Sequence, residues 1–139
     1  MSEAQVALTP DGERTLQEAQ NYCWRANVAI VGAEHLLAGA LLVLGQAGKA
    51  GVPAAPALES ALMLAQGAGE TAHSNQVMFG SAARDALNAT VSAARERGVS
   101  LVDAVVIALG VIDSGEVNPM FYASLGVPRA ELRAAVATV

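Results

Sequence analysis

The feature of this sequence that most constrains its fold is an internal repeat. Residues Leu8–Leu42 align without a gap on Phe79–Asp113, at an offset of 71 positions. The identical pairs are Leu16 and Leu87, Val28 and Val99, Val31 and Val102, Ala33 and Ala104, and Gly39 and Gly110. Because alanine-rich helices align easily by chance, the repeated order of elements is the stronger evidence. Each half shows a cap, a long helix, a short apolar turn and a second apolar helix, which predicts one domain with internal pseudo-symmetry.

Composition indicates that both halves are helical. Apolar residues make up 53% of the chain, and much of that total is alanine. Aromatic residues make up only 4%, whereas strands favour aromatic and β-branched residues. A length of 139 residues suits one compact domain. The sequence therefore predicts an all-α fold.

The first half is predicted to open with a helix over residues 10–26. Thr9 is a suitable N-cap, and Pro10 suits the first helical position. The spacing of the apolar residues places Leu16, Ala19, Cys23 and Ala26 on the buried face of this helix. Further helices are predicted at residues 33–44 and 57–66, separated by a stretch rich in glycine, alanine and proline.

The second half is predicted to follow the same plan. Its long helix carries Leu87, Val91 and Ala94 inward, and Gly98 ends it. Ser100 and Asp103 have the spacing of a capping box at the start of the next helix. The predicted helices are residues 81–97, 101–112, 118–125 and 128–137, and residues 67–77 form the predicted linker between the halves.

Three segments resemble the amino-terminal (Clp repeat) domain family of Clp unfoldases. "LTPDGERTLQEAQ" (Leu8–Gln20) is similar to the opening of a repeat, in which Thr precedes a long helix. "GAEHLLAGAL" (Gly32–Leu41) resembles the Gly-Thr-Glu-His-Leu-Leu motif, with Ala33 in the Thr place. "LGVPRAELRAAV" (Leu125–Val136) resembles the closing helix of a repeat.

The resemblance implies two four-helix repeats related by a pseudo-twofold axis, with seven or eight helices in a single domain. The repeats would span about residues 8–66 and 78–139. It also implies a non-catalytic protein-binding module of the Clp system. The partner would be a Clp ATPase, a protease subunit, an adaptor or a client protein. We expect a stand-alone adaptor, decoy or substrate receptor without an ATPase ring, because Gly48-Lys49-Ala50 lacks the remainder of a P-loop.

Within that family, a cap Thr and the motif Glu bind phosphoarginine in some members, and the resemblance transfers these roles to Thr9 and Glu34. Gly80 and Val105 occupy the equivalent places in the second half. An apolar Val cannot pair with a guanidinium, so at most one site is expected. The alternative for Glu34 is a first-turn acid that stabilises its helix.

Three aromatic residues of the second half, Phe79, Phe121 and Tyr122, form a candidate hydrophobic contact surface. Core packing is the favoured alternative for them. Trp24 also lies either in the core or on an exposed contact. Leu36 and Ile107 are expected to be buried at matching positions.

The remaining features exclude several classes of function. A net charge of −5 without a basic patch argues against nucleic-acid binding. The lone Cys23 is expected to be a buried structural thiol in a cytoplasmic protein. No metal site, cofactor site, membrane span or catalytic pair is expected. Besides protein binding, one alternative stays open: a small apolar ligand bound in a cleft between the two repeats.

Overall fold

In a computed structural model of the chain, the structure describes residues 7–26, 30–49, 51–66 and 78–137. The described part contains seven helices and four strands of two residues each. The helices are α1 (Pro10–Arg25), α2 (Ala33–Gln46), α3 (Ala55–Gln66), α4 (Ser81–Glu96), α5 (Ala104–Ser114), α6 (Pro119–Leu125) and α7 (Arg129–Ala137). The strands are β1 (Ala7–Leu8), β2 (Ile30–Val31), β3 (Met78–Phe79) and β4 (Leu101–Val102). The predicted linker, residues 67–77, lies outside the described residues, and the division into residues 8–66 and 78–139 stays a prediction.

The offset of 71 positions recurs in the elements themselves. Helix α1 begins and ends 71 positions before α4, and α2 begins 71 positions before α5. Strands β1 and β2 precede β3 and β4 by the same distance. The all-α prediction with internal pseudo-symmetry is therefore confirmed.

The short strands show how the two halves are related. β1 pairs in parallel with β4, and β2 pairs in parallel with β3, so each sheet takes one strand from each half. Ala7 faces Leu101 in the first sheet, and Ile30 faces Met78 in the second. Exchanging the halves converts one sheet into the other, which is the relation that a pseudo-twofold axis requires.

Close helix crossings set which side chains enter the core. A Cβ atom on Gly39 of α2 would lie 2.5 Å from the backbone oxygen of Thr15 in α1. On Gly110 of α5, a Cβ atom would collide with the side chain of Thr90 in α4. The face of α1 and α4 that meets these glycines must therefore carry small residues.

This crossing corrects the predicted inward faces of α1 and α4. The buried residues of these helices are Gly12, Thr15, Ala19, Tyr22 and Cys23 in α1 and Ala83, Ala86, Thr90 and Ala94 in α4. Ala19, Cys23 and Ala94 are buried as predicted. The other residues expected to face inward are only partly buried: Leu16, Ala26, Leu87 and Val91. Hydrophobic periodicity locates an apolar face, but the glycine contacts rotate the actual interface toward smaller side chains.

The start of α5 also differs from the sequence prediction. The helix begins at Ala104 rather than at Leu101, because Leu101–Val102 pairs with β1. Asp103 is the N-cap, and its Oδ1 accepts a hydrogen bond of 2.9 Å from the backbone N–H of Val106. The predicted capping box on Ser100 is therefore wrong, because a short strand separates Ser100 from the residue that caps the helix.

Candidate functional site

Thr9 lies where α1 meets the second half of the molecule. Its Oγ1 accepts a hydrogen bond of 3.1 Å from the backbone N–H of Gly12, as an N-cap residue does. Its own backbone N–H donates to the carbonyl oxygen of Val102 at 3.1 Å. Gly12 also packs closely against that carbonyl group: a Cβ atom on Gly12 would collide with it. Thr9 thus caps α1 and fixes the start of that helix against β4.

Gly80 occupies the equivalent place at the start of α4. Its backbone N–H donates to the carbonyl oxygen of Val31 at 2.9 Å, which reproduces the Thr9 contact. Within the described ranges, no side chain caps α4. A Cβ atom on Gly80 would lie 2.6 Å from Cγ2 of Ile30, so this contact leaves little room for a side chain.

Glu34 is buried in the first turn of α2, with 4% of its surface exposed. Its Oε2 accepts a hydrogen bond of 2.6 Å from the backbone N–H of Asn118, the N-cap residue of α6. This carboxylate therefore joins the start of α2 to the start of α6. Glu34 lies in the first turn of α2, as the structural alternative requires, but its contact with α6 is a tertiary one that the sequence did not predict.

The structure does not bring Thr9 and Glu34 together. The side chain of Arg14, near the start of α1, donates a hydrogen bond to Gln46 at the end of α2, whereas Ala19, further along α1, packs against Gly39 in the middle of α2, so the two helices run antiparallel. Thr9 lies beside the end of α2, whereas Glu34 lies at its start. The helix between Glu34 and Gln46 is about 18 Å long at 1.5 Å per residue. A single ligand of the size of phosphoarginine cannot be held between them.

The three aromatic residues predicted as a contact surface are largely inside the molecule. Phe121 is fully buried, so it belongs to the core. Phe79 and Tyr122 are partly buried and pack against the core, and the Phe121 and Tyr122 rings meet edge to face with centroids 6.2 Å apart. Burial raises the pKa of Tyr122 to about 12. Core packing, the alternative kept open for these residues, is what the structure shows for Phe121.

Other apolar side chains are exposed instead. Ile30 is 57% exposed and Leu101 is 58% exposed, and these two residues occupy equivalent positions in β2 and β4. Leu8, which lies beside β4, is 37% exposed. Leu8 and Leu101 lie in the β1–β4 sheet and Ile30 lies in the β2–β3 sheet, and we refer to these two exposed sets together as the strand patch. Sequence reasoning missed these residues, although the alignment of Ile30 with Leu101 marked a repeated apolar position.

Trp24 is exposed on α1, with 55% of its surface accessible, so the core placement considered for it is wrong. Its neighbour Cys23 is fully buried, as predicted. Burial raises the pKa of the Cys23 thiol to about 12, so the thiol is protonated at neutral pH. A protonated, buried thiol is a poor nucleophile, which fits a structural role.

A cavity of about 280 Å³ lies among α1, α2 and α3. Its lining includes Tyr22, Arg25, His35, Glu59 and Met63. The guanidinium of Arg25 lies 3.1 Å from the Glu59 carboxylate and 5.0 Å from the centre of the Tyr22 ring. The buried hydroxyl group of Tyr22 has no hydrogen-bond partner among the described residues.

His35 forms part of this cavity and is itself buried. Its Nδ1 accepts a hydrogen bond of 2.9 Å from the backbone N–H of Gly32, the N-cap of α2. Burial lowers the pKa of His35 to about 4, so the imidazole is neutral at pH 7. A proton on Nδ1 would break the cap, so the neutral form is also the one that stabilises the start of α2.

No group of three or more metal-ligating side chains that could hold an ion occurs within the described ranges. In the same part of the chain, no helix is long and apolar enough to cross a membrane.

Comparison with known proteins identifies the fold. No protein-family model matches the sequence, and neither does any curated protein. Among solved structures, the chain is similar to the crystal structure of the N-terminal domain of the caseinolytic protease associated chaperone ClpD from Arabidopsis thaliana. The superposition has a TM-score of 0.71 at 20% sequence identity, and it covers 93% of this chain and 94% of that chain. The resemblance inferred from the sequence motifs is thus confirmed at the level of the fold, and the chain has the fold of the ClpD N-terminal domain.

Proposed function

We propose that this chain is a non-catalytic protein-binding module that works with the Clp chaperone and protease system. The fold that it shares with the ClpD N-terminal domain supports the proposal. The ClpD protein is described as a chaperone associated with a caseinolytic protease, so a Clp ATPase, a protease subunit, an adaptor or a client is the partner we expect. Its action as an adaptor, decoy or substrate receptor is part of the same proposal.

The observation that carries the proposal is the strand patch. Ile30 and Leu101 are more than half exposed at equivalent positions of the two halves. Core packing does not account for side chains that contact solvent over most of their surface. Burying an exposed Leu or Ile side chain in an interface contributes roughly 1.5–3 kcal/mol. Two such residues related by the pseudo-twofold axis offer a protein partner a repeated apolar contact.

Thr9 adjoins this patch, because its N–H binds the carbonyl oxygen of Val102, the residue after Leu101. We propose that Thr9 acts there mainly as the cap that holds β1 against β4. We propose for Glu34 a structural role, in which it fixes α6 through Asn118. Neither assignment requires phosphoarginine.

Affinity capture from the host cytosol, followed by size-exclusion chromatography with the purified partner, tests the proposed function. The double variant Ile30→Glu/Leu101→Glu places charge on both halves of the strand patch and is expected to abolish capture of the Clp component. Met120→Glu is the matched control, because Met120 is also an exposed apolar residue (53%) but lies on α6. If wild-type protein enriches no Clp ATPase, protease subunit or client, the proposed function is wrong. If both variants bind equally well, the strand patch is not the interface.

A further inference from the structure

The sequence shows no basic patch, but the fold brings three arginine side chains together around Asp113, near the end of α5. Arg133 of α7 binds both carboxylate oxygens of Asp113, at 2.7 and 2.8 Å. Arg129, at the start of α7, donates a hydrogen bond of 2.9 Å to the carbonyl oxygen of Ile112. Arg97, the C-cap residue of α4, is the third arginine whose charge acts on Asp113. We call Arg97, Arg129 and Arg133 the arginine cluster.

The arginine cluster carries an excess of positive charge. Hydrogen bonds from Arg133 hold the pKa of Asp113 below its ordinary value, and the charges of Arg129 and Arg97 lower it further. The charged groups that act on this carboxyl group are all cations. Asp113 is therefore ionised at neutral pH and balances one of the three guanidinium groups. The other two positive charges lie close together in a chain whose net charge is −5.

Arg97 is the member of the cluster that can contact a partner. Its side chain is exposed, and its guanidinium group forms no ion pair within the described ranges. By the offset of 71 positions, Arg97 corresponds to Ala26 and Asp113 to Leu42. The fold therefore does not require charged residues at these places, and the cluster is particular to the second half.

An apolar groove of about 230 Å³ between α4 and α5 adjoins the cluster, because Arg97 and Asp113 both line it. The rest of its lining is mostly apolar and includes Ala89, Ala93, Val99, Val106 and Leu109. An apolar cavity of about 150 Å³ is sufficient to hold benzene, so the groove has room for one apolar side chain. A ligand that matches both features carries negative charge next to an apolar group.

From these observations we propose that the arginine cluster and the adjoining groove bind a short acidic segment of a protein partner, with one apolar side chain of that segment in the groove. A carboxylate of the segment would pair with Arg97, because a planar guanidinium group can hold a carboxylate by two hydrogen bonds. The surface shares no residue with the strand patch and belongs to the second half alone. It therefore goes beyond the proposed function and does not depend on it.

The acidic peptide Gly-Glu-Glu-Leu-Glu-Glu-Gly is a suitable probe, because it places one apolar side chain between carboxylates. Titration into the ¹⁵N-labelled full chain, followed by two-dimensional NMR, should shift the amide signals along α4 and α5 that border the groove. Exposed ion pairs contribute little each, so we expect a Kd on the order of 0.1–1 mM at low ionic strength. Added salt should weaken binding, because it screens exposed charges. The same peptide with Gln in place of every Glu should bind at least about tenfold more weakly.

Arg97→Gln removes the positive charge that borders the groove. It should weaken binding of the acidic peptide about three- to tenfold, as expected for one lost charged hydrogen-bond pair at an exposed position. Binding of the Gln peptide should not change. Arg95→Gln is the matched control, since Arg95 is also exposed near the end of α4 and loses the same charge, but it does not line the groove. That variant should bind the acidic peptide like the wild type.

Ala93→Tyr tests the apolar part of the surface by filling the groove. The equivalent residue of the first half is Tyr22, so the same pair of helices accommodates a tyrosine at this place. The variant should weaken binding of the acidic peptide. A peptide with Gly in place of Leu, which has no side chain for the groove, should bind equally to the variant and to the wild type.

Three results would overturn the proposal. The first is the absence of shifts around the groove up to the solubility limit of the acidic peptide, or equal binding of the acidic and Gln peptides by wild-type protein, a comparison that needs no variant. The second is equal weakening by Arg95→Gln and Arg97→Gln, because overall charge rather than the cluster would then attract the peptide. The third is tighter binding of a single-stranded oligonucleotide that shifts the same signals, which would assign the surface to nucleic acid.

Ile30→Glu separates this inference from the proposed function. Ile30 belongs to the strand patch and does not line the groove, so the variant should bind the acidic peptide like the wild type. Loss of Clp capture in that variant concerns only the proposed function, whereas loss of peptide binding would move the peptide site to the strand patch and refute the inference. Unfolding curves show whether each variant is folded.

Discussion

The crossing of α1 and α2 gives the sharpest test of the packing, through the substitution Gly39→Ala. The new methyl carbon would lie 2.5 Å from the backbone oxygen of Thr15 and 3.1 Å from the backbone nitrogen of Ala19. Ordinary contact needs about 3.5 Å or more, so α1 would have to move outward. Overpacking costs about 1–3 kcal/mol, and the upper part of that range, about 2–3 kcal/mol, applies here because the clashing atom belongs to the backbone and cannot rotate away. Alanine recovers about 1 kcal/mol through its higher helix propensity, which leaves a net loss of about 1–2 kcal/mol.

Gly45 supplies the control on the same helix. Among the residues that the structure describes, a Cβ atom there meets only Cγ2 of Val52, at an ordinary distance of 3.6 Å. Gly45→Ala should therefore keep the propensity gain and raise the free energy of unfolding by about 0.5–1 kcal/mol.

Urea and thermal unfolding, followed by far-ultraviolet circular dichroism, measure the difference between these variants. For a chain of this length, 1 kcal/mol corresponds to about 3–5 °C in Tm. Gly39→Ala should melt about 3–10 °C below the wild type, and Gly45→Ala about 2–5 °C above it. A Gly39→Ala protein as stable as Gly45→Ala would refute the close crossing and, with it, the reason for the small residues on α1.

Three further predictions concern the core, the buried histidine and the sites inferred from resemblance. Leu36→Ala should lower the free energy of unfolding by about 2–5 kcal/mol, as should truncation of its counterpart Ile107, because both side chains are fully buried; an unchanged Tm in either variant would contradict this placement. His35 has a pKa of about 4 in the folded state and about 6.5 when unfolded. The unfolded state therefore binds more protons between these values, and stability should fall by about 3 kcal/mol as the pH drops from above 6.5 to 4. A flat profile of unfolding free energy over that range would refute a buried neutral imidazole. Calorimetry with phosphoarginine should give weak or no heat, because Thr9 and Glu34 lie too far apart to hold one ligand; a single site that Thr9→Ala and Glu34→Ala each remove would contradict that separation.

The sequence by itself determined the helical fold class and the repeat. Capping residues and apolar spacing are local signals, so α1 was placed to within one residue at each end and α4 likewise. The matched burial of Leu36 and Ile107 followed from the same alignment and is confirmed. Alanine-rich composition with few aromatic residues also excluded an extensive sheet.

Only the tertiary structure decided how the halves meet and which side chains remain outside. The four strands depend on pairing between residues about 50 or more positions apart, and strands of two residues carry no periodicity to detect. The contacts at Gly39 and Gly110 turn α1 and α4 toward their small residues, which a hydrophobic pattern cannot reveal. The separation of Thr9 from Glu34 could not be predicted for the same reason. A local motif identifies the end of one helix, but it does not indicate which end of a neighbouring helix packs beside it.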